Sequence, residues 1–193
     1  MSHPLGSFRN LLRRFRRDRR GVTAVEFALV APIFFVLLFA IIETALIFFA
    51  GQVLETINQD SARLVLTGEA QGGSLSQAQF KAAVCAHKLS FMFNCNGISV
   101  DVRSYPQAGE VKIPNQIGPG GTFTNDMKYC PGRDGDFVVV RLFYEWPVII
   151  LKMLIGGDNL QYDFSNLNGS KRLLSATAVF RNEPFPTGGT TCS

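Results

Sequence analysis

Two carboxylates flank the most apolar run of this chain, and they are the first residues whose placement could do chemistry. No residue from Phe27 to Ile42 is charged; Glu26 stands just before the run and Glu43 just after it, and apolar character resumes from Thr44 through Leu54. A carboxylate inside a bilayer is costly and normally has a partner, so Glu26 reads as a residue that meets a cation during assembly. Glu43 lies roughly 26 Å further along a helix, where its carboxylate is expected to reach the outer headgroups. Pro32, between them, removes one helix hydrogen bond and marks a hinge or a packing notch. Elsewhere the chemistry is sparse. His3 and His87 are the only histidines, and no nucleophile elbow, zinc-protease motif or Gly-rich phosphate loop is present. Asp134 and Asp136 flank Gly135 without the twelve-residue loop and bidentate Glu of a calcium site, so they read as a solvated turn. Cys85, Cys95, Cys130 and Cys192 contain no C-x-x-C spacing, which favours disulfides over a metal.

These residues need elements to place them, and the first is a membrane helix. A bilayer core of about 30 Å needs about 20 apolar residues as helix, and the run here exceeds that. Charge is arranged to match. Residues 1–21 hold seven arginines (Arg9, Arg13, Arg14, Arg16, Arg17, Arg19, Arg20) and one acid, Asp18, a local net of +6 against +4 for the whole 193-residue chain, which leaves −2 for the rest. A pI near 9.0 would otherwise suggest nucleic acid, but the excess charge sits directly ahead of the apolar helix. It is therefore read as a cytoplasmic anchor, with the N-terminus inside, residues after about 68 outside, and no nucleic-acid partner. All four cysteines then fall on the oxidising side.

Beyond the bilayer the helix is expected to continue as an amphipathic stripe (Val53, Leu54, Ile57, Ser61, Leu64, Val65) to a C-cap at Gly68. Residues 22–67 would then span roughly 69 Å. Glu69 to Leu75 reads as a flexible connector, and Ser76 as the cap of a second helix from Gln77 to about Phe91, with Phe80, Val84, the Lys88 stem and Phe91 on one face. Ile98, Val100 and Val102 alternate with Ser99, Asp101 and Arg103 as a half-buried strand. A long Gly-, Pro- and Asn-rich loop follows from Tyr105 to Gly135, with a short strand expected at Val111 to Ile113. Phe137 to Trp146 is the strongest strand and should be central, ended by Pro147. Val148 to Ile155 is apolar and ambiguous between helical turn and strand. Leu173 to Arg181 is the last strand, ended by Glu183 and Pro184. The plan is α+β: a long N-terminal transmembrane helix followed by a small antiparallel-sheet domain. In domain terms, a basic leader occupies residues 1–21, the long helix 22–68 (membrane part about 22–50), and the outer domain 69–193.

Where could a peptidase cut? A small-x-small site after the apolar run, around Ala45 to Gly51, follows a stretch too long for a secretory h-region. Gly21 stands alone between the last arginine and the first apolar residue, and Glu26 is the fifth residue after it. The sequence from Arg19 through Gly21, Val22 and Glu26 to Phe27 resembles a class III, type IV pilin-like signal. Its continuation, Ala24-Val25-Glu26-Phe27-Ala28-Leu29-Val30-Ala31-Pro32 followed by Ile41-Ile42-Glu43, is similar to the TadE-like family of minor pilins or pseudopilins of the Tad (Flp, tight adherence) pilus system. Near the other end, the stretch from Ala178 through Arg181, Asn182 and Glu183 to Phe185 resembles that family's C-terminal signature.

The resemblance implies processing by a prepilin peptidase after Gly21, leaving Val22 as the new N-terminus of a 172-residue chain. It also implies that Glu26, with Phe27 and Pro32 beside it, acts in assembly, Glu26 meeting the Val22 amine of a neighbouring subunit. The expected role is structural: an inner-membrane, single-pass subunit with its domain in the periplasm or outside, partnered by membrane lipid, the peptidase and other pilin-like subunits, with no cofactor, no metal and no catalysis. An alternative is an uncleaved single-pass scaffold whose outer domain binds an envelope complex, and a membrane-tethered enzyme is a third class. For the cysteines, Cys85 with Cys95 and Cys130 with Cys192 is the favoured pairing among three possible connectivities.

Overall fold

The computed structural model describes residues 21–148, 164–185 and 189. The first helix, α1, runs from Val22 to Leu66 and continues through Pro32. Contacts divide the protein into two compact units, the second starting at Ile42. In the first unit the apolar side chains of α1 surround the helix on all sides and are unburied. In the second, Ile47, Ala50, Leu54, Ile57 and Val65 recur at intervals of three, four and eight and are buried, the period of a helix packed on one face. Full burial of each aliphatic side chain in that stripe stabilises by about 1.5–3 kcal/mol.

The end of α1 is fixed from both sides of the chain. Gly68 takes a left-handed φ of +79°, and a Cβ there would lie 2.7 Å from the Phe185 ring, so both conformation and space demand glycine. The Glu183 amide donates to the Leu66 carbonyl at 3.0 Å, satisfying one orphan acceptor of the last turn. The C-terminal motif thus caps the helix.

The connector after Gly68 is ordered rather than flexible. Glu69–Gly72 forms a short helix, α2, and buried Gln71 donates to the carbonyls of Val65 at 3.2 Å and Pro131 at 2.8 Å. Helix α3, Gln77–Cys85, starts with the capping box of Ser76 and Gln79. It stops six residues short of the expected end. His87 begins a separate 3-10 turn, Lys88–Met92, by accepting from the Leu89 amide, and this swings Phe91 out to 79% exposure while Phe80 and Val84 stay buried.

Five strands follow. β1 is Ile98–Tyr105, β2 Ile117–Gly118, β3 Thr122–Phe123, β4 Phe137–Pro147 and β5 Lys171–Arg181. The antiparallel sheet has the order β1-β4-β5, with β4 central, and β2-β3 is a separate hairpin. The hairpin replaces the strand expected at Val111 to Ile113, a segment with no strand in the structure. Val100, Val102, Val138, Val140, Leu142, Leu174 and Ala176 join the α1 stripe, Phe80 and Val84 in one core. Buried Asn58 of α1 comes within 3.3 Å of the Val140 carbonyl, placing one polar contact between helix and sheet. Of the apolar segment Val148 to Ile155, Val148 is buried and donates to the Ser170 carbonyl at 2.9 Å; the remainder lies outside the described residues.

Candidate assembly and anchoring site

The residues singled out near the N-terminus all lie in the first unit. Gly21 immediately precedes α1 and Val22 opens it. A Cβ built on Gly21 meets nothing within 4 Å, and its φ is not in the left-handed region. Nothing in the fold therefore requires glycine at this position. Val22 and Glu26 are four residues apart and share one helix face. Glu26 is exposed, and it makes no hydrogen bond or ion pair with a described residue. Phe27 is 68% exposed and Pro32 is exposed as well. Pro32 has no N–H to give the Ala28 carbonyl, which leaves one backbone acceptor on the helix surface. α1 is long and apolar enough to cross a membrane, and its most apolar 18-residue window is 0% buried.

Glu43 departs from expectation. It retains 3% exposure and is buried in the second unit rather than turned to headgroups. The reason is its phase: it stands four residues before Ile47 and begins the buried stripe of α1.

The polar centre of the second unit lies on the sheet face opposite α1, and the strand reading placed its key residue on the solvent side. Asp101 is 0% exposed. The antiparallel register sets it opposite Arg141, whose Nη2 and Nε donate to Asp101 Oδ2 at 2.6 and 3.0 Å. Arg103 Nε and the Lys128 amide donate to Asp101 Oδ1 at 3.0 and 2.8 Å. The two arginines then reach the long loop: Arg141 Nη1 donates to the Pro114 carbonyl at 2.8 Å and Arg103 Nη2 to the Asp126 carbonyl at 2.7 Å. Burial opposes the charge on Arg103, but its bond to Asp101 and the nearby carboxylates outweigh this and raise its pKa further. A buried ion pair is tolerable when its remaining lone pairs and protons are satisfied, as here. The outcome is a clamp that presses the loop onto the sheet, where Phe123 packs 5.9 Å from Phe143. The signal was present in the sequence as opposite charges in two otherwise apolar strands.

All described cysteines belong to the second unit. Cys85 and Cys95 form a disulfide that closes a separation of 10 residues between the end of α3 and the start of β1. Cys130 is disulfide-bonded too; Cys192, its expected partner, lies outside the described residues. Beside the first disulfide, His87 Nδ1 accepts from the Leu89 amide, so its proton sits on Nε2, which donates to Asp60 Oδ2 of α1 at 2.9 Å. Asp136 Oδ2 accepts from the Arg133 amide at 2.8 Å, the contact of a closed turn. Sequence reasoning also missed buried Asn182, which donates to the carbonyls of Pro131 and Arg133 at 2.9 and 2.8 Å and fixes the C-terminal motif.

No curated protein and no solved structure matches this chain. Residues 21–63 match the family described as TadE-like protein, a span that contains Val22, Glu26, Phe27, Pro32 and Glu43, and the N-terminal segment of this chain is accordingly TadE-like.

Proposed function

We propose that this chain is a minor pilin or pseudopilin of a Tad-type pilus system, acting in assembly and not in catalysis. The TadE-like match over residues 21–63, borne on an unburied apolar helix, is the observation that carries the reading. In this reading the basic leader stays cytoplasmic, the second unit lies on the periplasmic or outer side, and a prepilin peptidase cuts after Gly21. Gly21 supports that step. The fold makes no demand for glycine there, so a residue without a side chain at this position is free to serve a peptidase at the scissile bond. Cleavage gives Val22 a free amine, a cation suited to the Glu26 carboxylate of an adjoining subunit, and the apolar face around Phe27 and Pro32 packs against other pilin-like helices in lipid. No cofactor enters this role.

Intact mass and N-terminal sequencing of the protein from its own membrane, with and without the peptidase, test the proposal. A start at Val22 that depends on the peptidase is the expected result. Retention of residues 1–21 in both strains would replace it with an uncleaved single-pass scaffold.

A further inference from the structure

The folded unit starts before the membrane segment read from the sequence ends. Apolar character continues through Leu54 with Glu43 as the single charge, which sets the membrane part at about residues 22–50, yet the second unit begins at Ile42. The two overlap along the first turns of α1 inside the folded unit, and the side chains there show what surrounds them.

Within that unit α1 has a buried face and a free face, and the free face changes character once. Ile42, Leu46 and Phe49 are spaced four and three residues apart and share a face, with Phe48 beside them. All four are exposed, Phe48 at 70% and Phe49 at 56%. From Gln52 onward the exposed residues are polar, through Thr56, Gln59 and Asp60 to Arg63. A contiguous apolar patch of this kind is rare on a surface that meets only water. The change falls within one turn, between Phe49 and Gln52, as at a boundary between an apolar solvent and water. Ile42 to Phe49 rises roughly 10 Å along the helix. No exposed polar residue interrupts α1 from Phe27 to Phe49, and the helix is long and apolar enough to cross a membrane, so lipid is the occupant this continuity selects.

Packing shows what else of the folded unit stands at this height. Thr44, Phe48 and Gly51 line one groove with Phe164, Arg172 and Leu173, and the register places Trp146 opposite Arg172. Trp146 is the only tryptophan of the chain. It is half-buried, and its ring lies 6.2 Å from those of Tyr144 and Phe93. The cations of this rim are already engaged, Lys171 with Glu145 Oε2 at 2.7 Å and Arg172 with the Phe164 carbonyl at 2.9 Å. What the rim offers is therefore aromatic and apolar surface, the composition of side chains that sit at headgroup level.

We propose that the base of the folded unit, the α1 turns from Ile42 to Phe49 with the end of the sheet that carries Trp146, is seated in the headgroup layer of the bilayer that α1 crosses. The partner is phospholipid, met by apolar and aromatic contact. Only the crossing of a membrane by α1 is required; neither the pilus assignment nor cleavage at Gly21 enters.

Fluorescence of Trp146 tests this in full-length protein reconstituted into phosphatidylcholine vesicles whose acyl chains carry bromine either near the headgroup or near the chain end. Shallow bromine is expected to quench Trp146 at least ~2-fold more than deep bromine. Moving the probe with Trp146→Phe and Gln59→Trp should abolish quenching by both, since Gln59 lies roughly 15 Å beyond Phe49 on the polar stretch. Phe48→Asp with Phe49→Asp, both at exposed positions, should leave the unfolding midpoint of the second unit unchanged and cut the shallow quenching of Trp146 at least ~2-fold. Trp146 that neither lipid quenches, in protein that floats with the vesicles, overturns the proposal; self-cross-linking of a Phe49→Cys protein in the same vesicles would then assign the face to a second copy. Equal quenching of the two probes overturns it too, because the boundary would not lie before Gln52. Protein that fails to float with the vesicles overturns the membrane reading itself, which keeps the two failures apart.

Discussion

The two halves of α1 differ in apolar content and in how it is arranged around the helix, and they have opposite fates. From Val22 to Ile42 the apolar residues occupy every helical phase, and Phe27, Leu29, Val30, Ile33 and Leu37 are all exposed. From Glu43 to Leu66 one stripe, Ile47, Ala50, Leu54, Ile57 and Val65, is buried, with Gln52, Gln59, Asp60 and Arg63 on the other face, while Leu46, Phe48 and Phe49 near the start of this half stay exposed. Apolar content alone does not decide what a helix packs against; its angular distribution does. A helix that is apolar all round needs a solvent that is apolar all round, whereas a stripe needs one folded surface. The carboxylates follow the same division. Glu26 lies on the bare half and makes no hydrogen bond or ion pair with a described residue, while Asp101 is satisfied within the folded unit by Arg141, Arg103 and the Lys128 amide.

Substitutions can break this contrast, and the carboxylates should break it most. Asp101→Ala leaves the buried Arg141 guanidinium without its anion and removes one partner of the half-buried Arg103, and should cost about 3–5 kcal/mol, read as a lower unfolding midpoint in denaturant. Glu26→Ala should leave that midpoint unchanged and spare insertion and cleavage, yet impair incorporation into a fibre. Normal fibre assembly in the Glu26 variant would remove the proposed pairing with the Val22 amine. The apolar residues give the next largest difference. Leu54→Ala opens a cavity in the core and should cost about 2–5 kcal/mol, whereas Leu37→Ala, at an exposed position, should leave the thermal midpoint of the second unit where it is. Equal losses from the two would mean that the bare half of α1 has a protein partner inside the isolated molecule.

The features readable from the sequence were those that repeat with a period. The extent of α1 differs by one residue from expectation at its C-terminal end, because the i, i+3, i+4 stripe and Gly68 both point there. The central placement of β4 was legible in its run of valines and aromatics. What was not legible depends on cross-strand register. Asp101 alternates with apolar neighbours in the manner of a solvent-facing residue, and only pairing with Arg141 across the sheet reveals that its face is covered by the loop. Helix α3 was read too long because His87 caps a new turn through its ring nitrogen, a contact that no periodicity encodes. Glu43 belongs to the buried stripe by helical phase, which distance along the membrane helix does not encode.

Smaller effects sharpen the same boundary. Replacing Cys85 and Cys95 together by serine removes a short cross-link from the second unit and should lower its stability by about 2–4 kcal/mol, at the low end if the reduced chain keeps its local turns. Burial raises the Tyr129 phenol to about 12. Because its folded pKa lies above the ordinary value of 10.0, the stabilisation is complete below pH ~10 and is lost as pH rises through about 12. In an ultraviolet titration of the folded protein, one tyrosine should therefore ionise later than an exposed phenol. A phenol that titrates normally at this position would place the Phe80–Tyr129 contact in solvent.

The smallest expected effect belongs to Gly51, in the buried-stripe half of α1 near its start. A glycine inside a helix costs about 0.5–1 kcal/mol relative to alanine through the freedom it loses on folding. Unlike Gly68, Gly51 does not take a left-handed φ, and a Cβ there meets nothing within 4 Å. Gly51→Ala should therefore raise the thermal midpoint of the isolated protein slightly, while Gly68→Ala lowers it through both strain and the Phe185 ring. A lower midpoint for Gly51→Ala would mean that the added methyl meets a neighbour in the folded protein, against the open space around this position.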